Sequence, residues 1–157
     1  VPIVKSKLKN PENIKLINPK PSENDDFFGV KYDIIISSQV LYYLSDTDLK
    51  ARLKSFDNML KDDGHVFFTM MSTKSWYNSW QLDAKIEDGL LKVKHRDDIY
   101  NKRVKKIVNL HYINLTRDRE HLKQKFEIFE PIEIGDYELT YNENESEHHY
   151  LFFFKKK

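Results

Sequence analysis

The stretch Tyr32-Asp33-Ile34-Ile35-Ile36-Ser37-Ser38-Gln39-Val40-Leu41-Tyr42-Tyr43-Leu44-Ser45-Asp46 decides how the chain is read. Ile34–Ile36 is continuously apolar rather than alternating. A strand apolar on both faces belongs inside a sheet covered on both sides, usually a parallel one. Small polar residues, Ser37-Ser38-Gln39, close the run. Ser45 then offers a helix cap, and Asp48 three residues on completes the pattern of a capping box. Leu49, Leu53, Phe56 and Leu60 recur on one helical face, so a helix is predicted over 46–61. Asp63-Gly64 is expected to end it with a residue tolerant of positive φ. His65 to Met71 (HVFFTMM) predicts a second buried strand. Strand, helix and strand make a βαβ unit, so residues 34–37 and 66–70 should be parallel neighbours with a right-handed crossover.

Working outward, Ile14–Ile17 reads as a short strand stopped by Pro19 and Pro21, and Asp25–Gly29 as a turn with an apolar anchor. On the other side, Trp76, Tyr77, Trp80, Tyr100 and Tyr112 are spread among charges. Residues 89–93 and 104–112 predict strands, arranged as a hairpin laid over the sheet. Thr116 is expected to cap a short helix through Lys123. Residues 126–134 then predict a strand near an edge, because Pro131 cannot donate to a ladder. An acidic turn (Asn142 to Glu147) leads into 149–154, expected to insert antiparallel beside 66–70. There is no internal repeat and no low-complexity tract beyond the lysines that end the chain.

At 157 residues the chain fits one domain with a real core. Charged residues make up 32% but nearly cancel at +1, which gives no global field for nucleic acid or an anionic membrane. Aromatic residues reach 13%, favouring a globular domain over a disordered one. With no cysteine, disulfides and thiolate metal sites are excluded. No apolar run approaches the roughly 20 residues of a spanning helix, and no signal peptide opens the chain, so the expected compartment is the cytoplasm. In that setting the sequons at Asn114 and Asn144 read as chance matches. The chain opens on Val1 rather than methionine, which fits a processed, cleaved or partial chain.

In an open α/β sheet, ligands bind beyond the carboxyl ends of the strands. Those ends are Ser37-Ser38-Gln39 and Met71-Ser72-Thr73. Their small polar residues either present carbonyls and hydroxyls to a ligand or simply terminate strands; both readings stand. His148-His149 beside Glu145 and Glu147 has the residue types of a metal site, but adjacent strand residues point to opposite faces, so no metal is expected. His111 and His121 read as surface or interface residues. Trp76 and Trp80 read as core with a lid over the ligand edge. No Gly-x-Ser-x-Gly turn supports a serine nucleophile.

The pattern "YDIIISSQVLYYLSDTDL…LKDDGHVFFTMMS" resembles the fourth strand, following helix and fifth strand of class I S-adenosylmethionine-dependent methyltransferases. "LTRDREHLKQKFEIFEPIEIGDYEL" and "HHYLFFFKKK" are similar to that family's last helix and its sixth and seventh strands. The resemblance spans most of residues 14–157. It implies a partial Rossmann-like sheet, mostly parallel with an antiparallel C-terminal strand, and an inserted segment at about 73–115 that covers a substrate. It also implies that Ser38 and Gln39 lie near the methionine part of S-adenosylmethionine, and that Val40 and Leu41 wall the cofactor. Tyr43 stands where many relatives carry histidine, so a role for that histidine does not transfer.

One departure is large. The family grips its cofactor with a Gly-rich turn and an acidic residue, both placed before the region matched here. This chain has four glycines, at 29, 64, 89 and 135, and none forms a Gly-x-Gly pair. The expectation is therefore a single, incomplete methyltransferase-like domain, a fragment or truncated form of an enzyme that methylates a small molecule. The cofactor is implied only if the Gly-rich motif exists in the intact protein. Tyr42, Tyr43, Trp76, Tyr77 and Tyr112 are the candidates for substrate contact, and no catalytic residue is evident. The alternative is a non-catalytic binding or assembly module, self-associating through an exposed sheet edge. An in-frame Gly-rich strand-turn-helix encoded upstream of Val1 discriminates between them.

Overall fold

The computed structural model describes residues 23–24, 29–76, 78, 85–94, 110–143 and 145–157. The expectations for 14–17, most of the 25–29 turn, Tyr77, Trp80, Tyr100 and 104–109 lie outside the described residues.

The central βαβ unit forms as predicted. Strand β1 (Tyr32–Ser37) pairs parallel with β2 (Leu60–Met71), and helix α1 (Asp46–Met59) joins them. The Ser45 hydroxyl accepts from the Asp48 amide at 3.1 Å, which satisfies one of the free N–H groups of the first turn. Leu49, Leu53, Phe56 and Leu60 are all buried. The helix stops at Met59, because Leu60 is already extended (φ −78°, ψ 147°) and pairs with Tyr32.

Gly64 has a different role from the one expected. It lies within β2 rather than at a helix end, and positive φ among glycines is confined to Gly29 and Gly89 in the described residues. A Cβ at Gly64 would come within 2.9 Å of Leu60 Cδ2 and of the Lys61 carbonyl oxygen. Close approach, not backbone handedness, calls for glycine there.

Strands β6 (Phe129–Asn142) and β7 (Glu145–Lys156) form a long antiparallel hairpin, and the sheet runs β1-β2-β7-β6. β7 inserts antiparallel beside β2, Phe68 opposite Phe152, as expected. Pro131 does sit on an edge strand, next to a register shift between Pro131 and Glu133. The helix before this hairpin, α2 (Arg119–Lys125), is capped by Asp118, whose carboxylate accepts from the His121 amide at 2.7 Å. Thr116 is not the cap. It is fully buried and bridges to Ser72, joining the segment just before α2 to the end of β2.

Between β2 and α2, strands β3 (Lys85–Glu87), β4 (Leu90–Lys94) and β5 (Leu110–Asn114) form a separate antiparallel sheet. Its β3–β4 turn is Asp88-Gly89, both with positive φ (48° and 73°), as a two-residue hairpin requires. The turn docks on the start of α1: the Asp46 amide donates to the Asp88 carbonyl at 2.8 Å. A Cβ on Gly89 would fall 2.2 Å from the Asp46 carboxylate. Among the described residues no helix is long and apolar enough to cross a membrane.

The core lies on one face of the four-stranded sheet. Alternation places Val66, Phe68, Met70, Tyr150, Phe152 and Phe154 on the same side, where they meet α1 and the 122–129 segment. Phe68 packs against Phe56 at 5.4 Å between ring centroids, and Phe126 against Phe152 at 4.4 Å. The other face is less covered. Ile34 is 48% exposed and Ile36 65%, so the expectation that β1 is sealed on both sides fails among the described residues. Only Ile35, packed against the core, has the surroundings that its residue type predicts.

Candidate functional site

Beyond β1 the backbone turns sharply. Gln39 takes a left-handed φ of 57°, and its amide donates to Thr69 Oγ1 on β2 at 2.7 Å. That bond ties the turn to the sheet and leaves Ser38 and Val40 exposed at the carboxyl edge. The Gln39 side-chain amide donates to the Tyr137 hydroxyl at 3.3 Å. A short 3₁₀ turn follows, Leu41–Tyr43, with Leu41 and Tyr42 buried in the core and Tyr43 56% exposed.

Behind this turn stands His149, fully buried, its ring stacked on Tyr137 (5.1 Å, 8°) and 5.6 Å from Tyr42. Its Nε2 lies 3.3 Å from Glu147 Oε2, while its buried Nδ1 has no hydrogen-bond partner. Burial holds the imidazole below its ordinary value against the upward pull of Glu147, so the ring is neutral at physiological pH. Burial also raises the Tyr141 phenol, helped by the Glu147 charge. The carboxyl end of β1 is thus lined by tyrosines around one neutral histidine.

At the end of β2 a second polar chain appears. Ser72 Oγ lies 2.8 Å from His148 Nδ1, His148 Nε2 lies 3.3 Å from Asp136, and Asp136 pairs with Arg119 at 2.9 Å. Arg119 and then His148 hold the Asp136 carboxyl below its usual range against partial desolvation. Serine, histidine and aspartate in a line have the residue types of a nucleophilic triad, but Ser72 is fully buried and no substrate carbon can reach it. The Ser75 hydroxyl donates to the His148 carbonyl at 2.9 Å, so this network braces the segment after β2 against β7. His148 and His149 do face opposite sides of the sheet, and no group of three metal-ligating side chains occurs among the described residues.

The substrate candidates are scattered. Trp76 is half-buried just after Ser75, and Tyr77 lies outside the described residues. Tyr112 is 44% exposed and opposite Lys92, on the face of the small sheet away from Leu91 and Ile113. Tyr42 and Tyr43 are the pair brought together, at 4.5 Å. Sequence reasoning missed Thr69 and Tyr137 and gave His149 no part at the β1 turn; all three are distant from it in sequence and gathered there by strand register. The docked turn was missed too, although the Asp88-Gly89 dipeptide carries its signal.

No family model and no curated protein matches the chain. Solved structures do match. An S-adenosylmethionine-dependent methyltransferase from Methanosarcina mazei aligns at TM-score 0.56 and 10% identity, covering 89% of this chain and 63% of that one. One from Clostridium acetobutylicum aligns at 0.52 and 15%, covering 87% and 63%. TehB from Haemophilus influenzae aligns at 0.53 and 15%, covering 95% and 44%. At these identities the likeness is one of fold: the chain carries a partial class I methyltransferase sheet. It spans 44% to 63% of the length of these three structures.

Proposed function

We propose that the chain contributes to methyl transfer from S-adenosylmethionine to a small molecule, as a fragment or truncated form of such an enzyme working in the cytoplasm. The observation that carries this reading is the β1 turn, where Gln39 is held left-handed by Thr69 at the carboxyl edge of a methyltransferase-type sheet. The residues there fit one side of the cofactor. Ser38 and Gln39 would hold its polar methionine end, with Val40 exposed beside them and Leu41 supporting from the core. The fit covers that side only, since no Gly-x-Gly turn occurs in the chain.

When bound, S-adenosylmethionine supplies a methyl group already activated on a sulfonium. The chain's residues then have to position a nucleophile and exclude water. Tyr42, Tyr43, Trp76, Tyr77 and Tyr112 are proposed to contact the substrate, and residues 73–115 to cover it. Support for the cover comes from the small sheet's docking on Asp46 and Thr47, at the same edge as the β1 turn.

Amide NMR during titration with S-adenosylhomocysteine tests the assignment. Shifts should concentrate on 38–43 and Thr69, and Gln39→Ala should weaken them. Shifts confined to other parts of the chain, or none at millimolar ligand, would refute it.

The place of β1 at the edge of the four-stranded sheet, with Ile34 and Ile36 exposed on it, favours a second reading, an assembly module in which β1 pairs with a second copy of the chain. Sedimentation at micromolar concentration should then show a dimer that Ile36→Lys dissolves; a monomer at all concentrations removes this reading.

A further inference from the structure

A cavity of about 490 Å³ opens between the small sheet and α2, a volume suited to a small molecule. Leu91 and Ile86 form its apolar wall, and Arg117, His121 and Lys125 bring nitrogen groups to its other side. Thr73 also lines it, which places it at the carboxyl edge of β2.

The charges are unevenly committed. Lys125 is almost wholly buried and is taken by Asp46 and by Asn114 Oδ1, the latter at 2.8 Å. Asp46 in turn accepts from Asn114 Nδ2 at 2.9 Å, and these bonds, against burial, keep its carboxyl ionised. The Asp118 carboxylate is occupied by the His121 amide. Arg117 is exposed, and among the described residues its guanidinium makes no ion pair. His121 Nδ1 accepts from the Arg117 amide at 3.2 Å, which assigns the neutral ring's proton to Nε2 and makes that nitrogen a donor. One uncommitted cation and one ring donor therefore face an apolar wall.

We infer that this cavity binds a small anionic molecule with an apolar body, its carboxylate or phosphate held by Arg117 and His121 and its body against Leu91 and Ile86. A guanidinium presents paired donors that match an oxyanion, which a neutral amide cannot exploit equally. As a substrate site of the enzyme, this rests on the methyl-transfer reading and stands in place of the aromatic set proposed above, none of whose described members lines the cavity. As an anion site, it stands independently.

Benzoate and benzamide, nearly equal in shape, separate charge from fit. In amide NMR titrations benzoate should shift Gly89, Leu91, Arg117 and His121 and bind about tenfold more tightly than benzamide. Arg117→Gln should abolish that preference, Arg117→Lys should restore part of it, and Ile86→Glu, which removes apolar wall and adds negative charge, should weaken benzoate more than benzamide. Arg117 and Ile86 are both exposed, so these variants keep the fold. Equal affinity for the two probes, an unchanged preference in Arg117→Gln, or no benzoate shifts at these amides would overturn the inference. Failure of the methyl-transfer reading would instead show as lost S-adenosylhomocysteine shifts at 38–43, with the benzoate result intact.

Discussion

The two faces of the four-stranded sheet differ sharply although both are apolar. On the face toward α1 and α2, Phe68, Phe152 and Phe154 are fully buried and each touches at least one other aromatic ring. On the opposite face, Phe67, Leu151 and Phe153 are half-buried, and Ile34 and Ile36 are largely exposed. His65 stacks on Phe153 there at 5.0 Å, a contact open to water. Residue type therefore reports which surfaces are built for burial, while the neighbours decide which of them are buried. The carboxyl end of the same face is covered: Thr69 and His149 are buried there and Tyr137 is half-buried, and these residues support the β1 turn.

The largest expected effect comes from deleting rings on each face. Phe152→Ala should cost about 3–5 kcal/mol of unfolding free energy in urea, and Phe153→Ala about 1 kcal/mol. Equal costs would mean that the two faces are equally packed. Adjacent isoleucines give a finer comparison. Ile35→Ala should cost about 2 kcal/mol, while Ile36→Ser should stay within about 0.5 kcal/mol of wild type. A large loss from Ile36→Ser would show that something covers that face.

Protonation gives the smallest and most specific comparison. His149, at the covered end of that second face, is held below 6.5 by burial, and so is His121. As pH falls, the unfolded chain takes these protons first. The stabilisation is therefore complete above pH 6.5 and is lost as pH drops from 6.5 through the folded values. His149→Phe keeps the aromatic stacking and should reduce, without abolishing, the fall in melting temperature over that range. An unchanged pH profile would remove His149 from the account. Asp46 and Asp136 act in a separate window, losing their contribution only as pH falls below the ordinary carboxylate value of 3.8.

Much of this was legible in local pattern. Ser45 with Leu49, Leu53 and Phe56 marks a capped helix by spacing alone, and the apolar runs on either side make it a crossover. The acidic turn before His149 announces a hairpin. What local pattern could not carry is anything set by contact at a distance. Gly64 looks like a helix stop but is small because Leu60 and Lys61 crowd it. Thr116 resembles a cap, yet register delivers it to Ser72 while Asp118 does the capping. The proposal that the β1 turn is a ligand edge starts from Ser38 and Gln39, which the sequence displays. The turn's supports, Thr69, Tyr137 and His149, were not legible there, because only strand pairing brings them together.

The central proposal is that this chain would supply one side of a cofactor site and not its full grip. Ser38 and Gln39 would offer two or three hydrogen bonds, each worth about 1 kcal/mol net. A micromolar dissociation constant represents roughly 8 kcal/mol, well beyond that. Isothermal titration of the 157-residue chain with S-adenosylmethionine measures the difference directly. The account predicts heats too weak for micromolar affinity, with binding only in the millimolar range. Micromolar binding would contradict it, showing that the chain carries a complete cofactor grip without a Gly-x-Gly turn.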